Sequence, residues 1–400
     1  MGKVITSIKC QVIDDSRGRP TISVTVEAGE HSGSFGVPSG ASTGVREVHA
    51  KPAAEAVVII NDVVAPALIG QPVDDQLAID RILHELDSTQ QFDVIGGNVA
   101  LGVSVATTKA AAEVAGLETW QYIEQIFKET PQATAPRLFV NLINGGQHAE
   151  RGSSIQEHQI IVDTDDVTTA LEVVESVQAQ LRLDLFAKFD EENVSIGDEG
   201  GFVIPSEGIF EPFLLLDKAV KQVVTGPLVF LGSDMAASSF YEDGDYQPEV
   251  EKLSTVELLD LYSELHTQVP SLRSVEDPLQ ESDFEGFSKY LASHPELIVI
   301  GDDLTTTNEK TLEAAIATKS INAIIIKPNQ IGTVSDTLAT MRMAYQNNIK
   351  CIVSHRSGET MDNFIADLAY GTKSYGLKAG APDRPERAAK YQRLLEIVKN

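Results

Sequence analysis

The chain has 400 residues, 42% hydrophobic and 22% charged, which describes a globular protein with material for two cores. Acids outnumber bases 59 to 31, a net charge of -28, which argues against nucleic acid or an anionic membrane as partner. The two cysteines, Cys10 and Cys351, form no disulfide framework and point to a reducing compartment. No apolar run approaches the roughly 20 residues of a membrane span.

In chain order, VITSIKCQVID, PTISVTVEAG and SGSFGVP read as strands punctuated by Gly and Pro, which predicts an antiparallel meander. Ala53, Ala56, Val57, Ile60 and Val64 recur at helical spacing. GGNVALGVSVATTKAAAEVAG is small, apolar and long enough for a buried helix. Lys128 to Leu138, with two prolines, reads as a linker, so a boundary falls near residue 130. The expected domains are 1–130, an α+β unit, and 131–400.

The second part has its own rhythm. LVFLGSD, LRSVEDP, LIVIGDD, AIIIK, CIVSH and YGLKAG alternate with helical stretches. After a longer first gap they recur about every 25 residues, close to what a strand, a helix and two loops occupy. This predicts an α/β fold with a TIM-like β/α barrel, whose functional side chains gather at the C-terminal strand ends. The runs end on Asp234, Glu276, Asp302, Lys327, His355 and Lys378.

Three of those residues, Asp234, Glu276 and Asp302, are carboxylates on successive units, and oxygen-only ligands suit a hard cation such as Mg²⁺. An acid at a strand end more often caps a helix, but three beside a lysine favour the metal. Close to a dication, Lys327 is expected to lose part of its preference for the charged form and to serve as a general base. The matching chemistry is proton abstraction next to a carboxylate, which needs strong positive charge on the carboxylate oxygens. SIGDEGGF offers Glu199 as an acid between an Asp and two glycines. In SHRSGET, Arg356 can fork onto phosphate oxygens, Ser357 can add a hydroxyl and His355 can position a substrate. PSGASTG and NGGQHAE, which carries His148, read as glycine-hinged loops over the pocket.

Together DSRGRPT, PSGASTG, NGGQHA, GDEGGF, VEDP, GDDLTTTN, KPNQIGT, SHRSGET and GAPDRPERAAKY resemble the enolase family, from about residue 4 to 395. A lysine or histidine base beside Mg²⁺ is the working pattern of enolase-superfamily sites. The resemblance implies that Lys327 takes the C2 proton of 2-phosphoglycerate on the way to phosphoenolpyruvate. Glu199, with Glu157 beside it, helps the C3 hydroxide leave. Asp234, Glu276 and Asp302 hold a first Mg²⁺, and Ser42 helps hold a second with the substrate phosphate. Arg356 and Ser357 bind that phosphate, and His148, Gln156, His355 and Lys378 complete the pocket. It further implies a barrel with irregular opening units and a homo-oligomer, usually a dimer and sometimes an octamer. The setting it implies is cytoplasmic glycolysis and gluconeogenesis, with a secondary cell-surface presence reported for the family.

The sequence departs from the family pattern in places. After PSGASTGVREV it runs almost directly to HAKPAAEAVV, without the usual charged, glycine-containing loop. His158 replaces a usual Phe and, next to Glu157, is expected to influence its protonation; Ser239 replaces a usual Glu. Two alternatives stand beside the main reading: another acid dehydratase of the superfamily, and a non-catalytic binding or scaffold protein. The phosphate-directed Arg356 and Ser357 weigh against the first, and the full set of acids and lysines against the second.

Overall fold

Alternation sets the first sheet. Ile22, Val24, Val26 and Ala28 fall on one face and are fully buried. The strands Ser7–Asp14, Pro20–Ala28 and His31–Gly36 pair antiparallel in that order, the meander read from sequence. The first begins at Ser7 rather than Val4, which makes an isolated bridge to Pro72. The computed structural model describes every residue except 1–2, 41–43, 129–134, 150–151, 207, 226–227 and 400.

The buried face of this sheet rests on the helix Gly97–Ala115, buried on nearly all sides as its composition predicts. Gly33 makes the contact possible, because a Cβ there would sit 2.2 Å from the Ala106 carbonyl oxygen. The helix stops at Gly116, whose φ of 69° is the left-handed conformation that ends helices. The short connection after Val45 is strapped down by backbone bonds from His49 to Gln91 and from Gly97 to His49, each 2.7 Å.

Eight strands close the barrel: Arg137–Asn144, Glu157–Val162, Val229–Asp234, Leu272–Glu276, Ile298–Gly301, Ala323–Ile326, Lys350–Ser354 and Gly376–Lys378. The last pairs parallel with the first, Gly376 opposite Arg137 and Leu377 opposite Leu138. That pairing draws Arg137 and Leu138 into a strand, so the linker read from sequence is shorter than expected. The second strand runs antiparallel to both neighbours, and every other pairing in the ring is parallel. The opening is thus irregular, as the resemblance implied. Later strands each lead to a helix, and Ser254, Asp283, Asn308 and Thr333 cap helix starts with their side chains. Phe139, Ile161, Phe230, Ile300, Ala323, Ile325 and Ile352 form one apolar plug, the packed interior expected of such a barrel.

Candidate functional site

Strand register builds the rim. Glu157 lies opposite Asp234, and Asp234 opposite Glu276, so three carboxylates stand side by side on adjacent strands. Asp302 follows the next strand and Lys327 the one after. Lys378 and Ser354, leading into His355, come from the last two, themselves in register. Asp234, Asp302, Lys327, His355 and Lys378 line a cavity of about 270 Å³. Glu276 is not on its wall, because Lys378 Nζ covers both its oxygens at 2.9 and 2.8 Å. Gly44, Val45 and Glu47 bring the first sheet's side of the molecule to the same wall.

The lysines hold the acids apart. Lys378 Nζ lies 3.2 Å from Glu157 and 3.6 Å from Asp234 as well as on Glu276, while Lys327 Nζ pairs with Asp302. Burial lowers Lys327, and Arg356 and Lys378 push the same way, but the surrounding acids, Asp302 foremost and Glu276 with it, together hold the ammonium above its ordinary value. The lowered value expected from the sequence is that of a site holding a dication, whose charge would oppose that of Asp302 on the ammonium. Burial lifts Glu276 well above the carboxylate range, with Asp234 adding to it, and carries Glu157 to about 7. Asp303 is likewise raised to about 7 by burial and by Asp302.

This donor set fits a divalent cation. All its ligating atoms are carboxylate oxygens, the choice of hard ions. Glu157, Asp234, Glu276, Asp277, Asp302 and Asp303 outnumber the two lysines among them, and burial, with neighbouring carboxylates adding to it, raises Glu157, Glu276, Asp277 and Asp303. Among the described residues the tightest groups are Asp277 with Asp302 and Asp303, and His148 with Glu157 and Glu199. Asp234, Glu276 and Asp302 face the same pair of lysines without closing on one point.

Glu199 arrives from outside the ring. It sits at the turn of a hairpin, Ser195–Ile196 with Phe202–Val203, joined to the first barrel strand by Phe202 opposite Ile143. The glycines of GDEGGF let this turn pack tightly. Gly200 has φ 87°, and a Cβ there would come 2.7 Å from the Ala381 carbonyl oxygen. Glu199 Oε2 accepts from Asn141 at 3.1 Å and lies 3.4 Å from His148 Nδ1. Burial raises Glu199, but His148, His355 and Arg387 together hold the carboxyl well below the usual range. Burial lowers His148, and Glu199, with Glu157 and Asp234, more than restores it.

His355 plays another part. Arg387 Nη1 lies 2.6 Å from its Nδ1, and a guanidinium can only donate. Nδ1 therefore accepts and the ring proton sits on Nε2, 3.6 Å from Glu199 Oε1. Burial then holds His355 well below the ordinary histidine value, with Arg387 adding to the effect. Gln156 closes this side, its amide donating to Asp234 at 3.0 Å.

On the other side Arg356 and Ser357 face the cavity. Glu47 holds the guanidinium at 2.9 Å, and Asn329 accepts from it at 3.0 Å. Ser42 lies outside the described residues. Every other residue singled out from the sequence lines or adjoins the one cavity. Glu47, Asp277, Asp303 and Asn141 were missed. Asp277 and Asp303 stood inside VEDP and GDD, but nothing in TGVREV marks Glu47. His158 turns away from Glu157, as strand alternation requires. It bonds the Ile143 carbonyl at 3.1 Å and packs edge-on against Phe213, and burial lowers it to about 4, leaving it neutral near pH 7.

Fold and rim together define a β/α-barrel protein with an acidic, lysine-bearing cavity at its strand ends, roofed partly by an N-terminal α+β unit. Residues 132–400 match the family model described as "Enolase, C-terminal TIM barrel domain", and residues 5–123 the one described as "Enolase, N-terminal domain". Proteins named "Enolase" are similar over nearly the whole chain. One from Methanococcus maripaludis strain C5 is 40% identical over 407 residues, covering 98% of this chain and 94% of its own. One from Campylobacter jejuni is 38% identical with 98% and 97% covered, and one from Aeropyrum pernix 40% identical with 96% and 91% covered. The chain belongs to the enolase family.

Proposed function

We propose that the protein is a phosphopyruvate hydratase, a lyase that reversibly dehydrates 2-phosphoglycerate to phosphoenolpyruvate. One observation carries the reading: a single cavity lies between Lys327 with its carboxylates, the Arg356–Ser357 pair and the His148–Glu199 pair. In this reading Arg356 and Ser357 hold the phosphate, and Lys378 the substrate carboxylate. Lys327 takes the C2 proton. The C3 hydroxide departs as water when the carboxyls on the opposite side supply a proton. Glu157, near 7, is partly protonated at neutral pH, and His148 lies between it and Glu199, 4.0 and 3.4 Å from the two. Two carboxyls driven apart in proton affinity is how one site runs acid and base chemistry together. Burial of these groups keeps bulk water from competing for the proton.

The cofactor of this reading is Mg²⁺, two per site. Asp234, Glu276 and Asp302 are the residues to hold one, and Ser42, with the phosphate, the other. When bound, the metal supplies positive charge to the substrate carboxylate, which lowers the cost of the enolate formed by proton loss. The reading carries with it a role in glycolysis and gluconeogenesis in the cytoplasm, a homodimer, and a domain division near residue 130. No helix among the described residues is long and apolar enough to cross a membrane.

The test is direct. With 2-phosphoglycerate and Mg²⁺ the protein is expected to produce a rise in ultraviolet absorbance as the enol double bond forms, abolished by EDTA. Folded, Mg²⁺-loaded protein giving no rise contradicts the reading.

A further inference from the structure

DSRGRPT places no side chain on the cavity wall, yet Arg17 reaches that wall from behind. Its Nη1 lies 3.3 Å from Ser357 Oγ, and its Nη2 3.3 Å from Ser39 Oγ and 2.8 Å from the Gly40 carbonyl oxygen. The side chain is 10% exposed, with Asp15 Oδ2 3.7 Å away as counter-charge. Asp15 in turn accepts from the Ser39 hydroxyl at 2.5 Å and from the amides of Arg17 and Arg19 at 2.8 and 2.9 Å. Ser39 and Gly358 exchange backbone hydrogen bonds of 2.7 and 2.9 Å, tying the first sheet's chain to the residue after Ser357. There is no slack in this joint. A Cβ on Gly358 would sit 2.3 Å from Asp15 Oδ2, 2.4 Å from Ser39 Oγ and 2.8 Å from Arg17 Nη2.

The backbone of Ser357 is fixed as well. Arg387 donates to its carbonyl at 2.7 Å and to that of Arg356 at 2.6 Å. With the peptide held, what remains free in Ser357 is the direction of its hydroxyl proton. A guanidinium has donors and no acceptor. Ser357 Oγ must therefore accept from Arg17, and its own proton points elsewhere, toward the cavity that Ser357 lines.

We propose that Arg17 is a positioning residue for the phosphate end of the site: by making Ser357 Oγ an acceptor on its far side, it commits the Ser357 proton to the substrate phosphate. This rests on the reading of Ser357 as a phosphate donor given above. Because Arg17 acts through Ser357, it works on substrate binding and leaves proton abstraction at Lys327 alone.

The test compares wild type, Arg17→Gln, Arg17→Lys, Ser357→Ala and the double variant Arg17→Gln/Ser357→Ala, as full chains with Mg²⁺ and 2-phosphoglycerate. Assays run at a temperature where circular dichroism finds every variant folded. Arg17→Gln is expected to raise KM about three- to tenfold, the scale of one neutral hydrogen bond, with kcat within about twofold. In the Ser357→Ala background the same change should move KM by less than about twofold, since the group it orients is gone. Arg17→Lys, which keeps a donor and a charge, should fall between wild type and Arg17→Gln. Equal effects in both backgrounds, or an unchanged KM, overturn the proposal. Should Arg17→Gln not fold, Arg17→Lys in the two backgrounds reads the same coupling. Wild-type protein inactive on 2-phosphoglycerate overturns the functional reading itself, so the two failures are distinguishable.

Discussion

Two residues apart in the chain, Ile300 and Asp302 are 1% and 5% exposed and live in different chemistry. Ile300 belongs to the apolar plug, where contact with Phe139, Ile161 and Ile352 is non-directional and stabilising. Asp302 belongs to the rim, where burial is costly unless every charge meets a partner. It meets Lys327 Nζ, the amide of Gln330 at 3.0 Å and, on that same Gln330, a side chain anchored by Thr307 at 2.8 Å. One set of strands thus carries both a stabilising core and a site held against its own electrostatics. The difference teaches where each kind of substitution should register: plug changes in stability, rim changes in turnover.

The sharpest separation should come from Lys327→Ala. Loss of the base is expected to lower turnover of 2-phosphoglycerate by about a thousandfold or more, within the range known for general bases, with a native circular dichroism spectrum. Steady-state kinetics beside a thermal melt checks both halves, and near-normal turnover breaks the comparison. Phe139→Ala is the converse. It should cost about 3–5 kcal/mol in denaturant unfolding, as large aromatic truncations do, while kcat per folded molecule stays within about twofold. A plug substitution that abolished turnover in folded protein would mean that the two regions are not separable.

His158→Phe is the smallest change and sharpens the picture through pH. His158 is neutral in the fold, its pKa lowered to about 4 by burial, against an ordinary value of about 6.5. The unfolded chain binds this proton more readily, so stability is full above about pH 6.5 and declines as pH falls toward 4, by about 3 kcal/mol in all. Phenylalanine cannot titrate. The variant should lose that component of the acid slope and, because His158 Nε2 is buried with no hydrogen-bond partner, should be about 1 kcal/mol more stable at neutral pH. Urea titrations at pH 5 and pH 7.5 measure both; identical slopes for variant and wild type would contradict the assignment.

How much of this was legible in the sequence follows from what a strand writes into its residues. Each parallel barrel strand is buried on both faces and reads as an unbroken apolar run, so the first charged residue after it marks the rim. LVFLGSD, LIVIGDD and AIIIK could be read that way, and Asp234, Asp302 and Lys327 stand where expected. The rhythm could not reveal Glu157. Its strand runs antiparallel, so this residue reaches the same rim from the start of a strand instead of the end. The hairpin that brings Glu199 in was visible only as glycines around an acid. Glu47 and Arg17 act across several hundred residues of separation, on Arg356 and Ser357, and no local pattern encodes such a contact.

The central claim is that Lys327 handles the C2 proton while the Glu199 side handles the leaving oxygen. The most direct measurement follows exchange of the C2 hydrogen of 2-phosphoglycerate with deuterated solvent by NMR, beside net dehydration. It uses wild type, Lys327→Ala and Glu199→Gln. The account predicts that Lys327→Ala loses both exchange and dehydration, while Glu199→Gln loses dehydration and still exchanges the proton. Exchange that persists without Lys327, or that disappears with Glu199 alone, would contradict it.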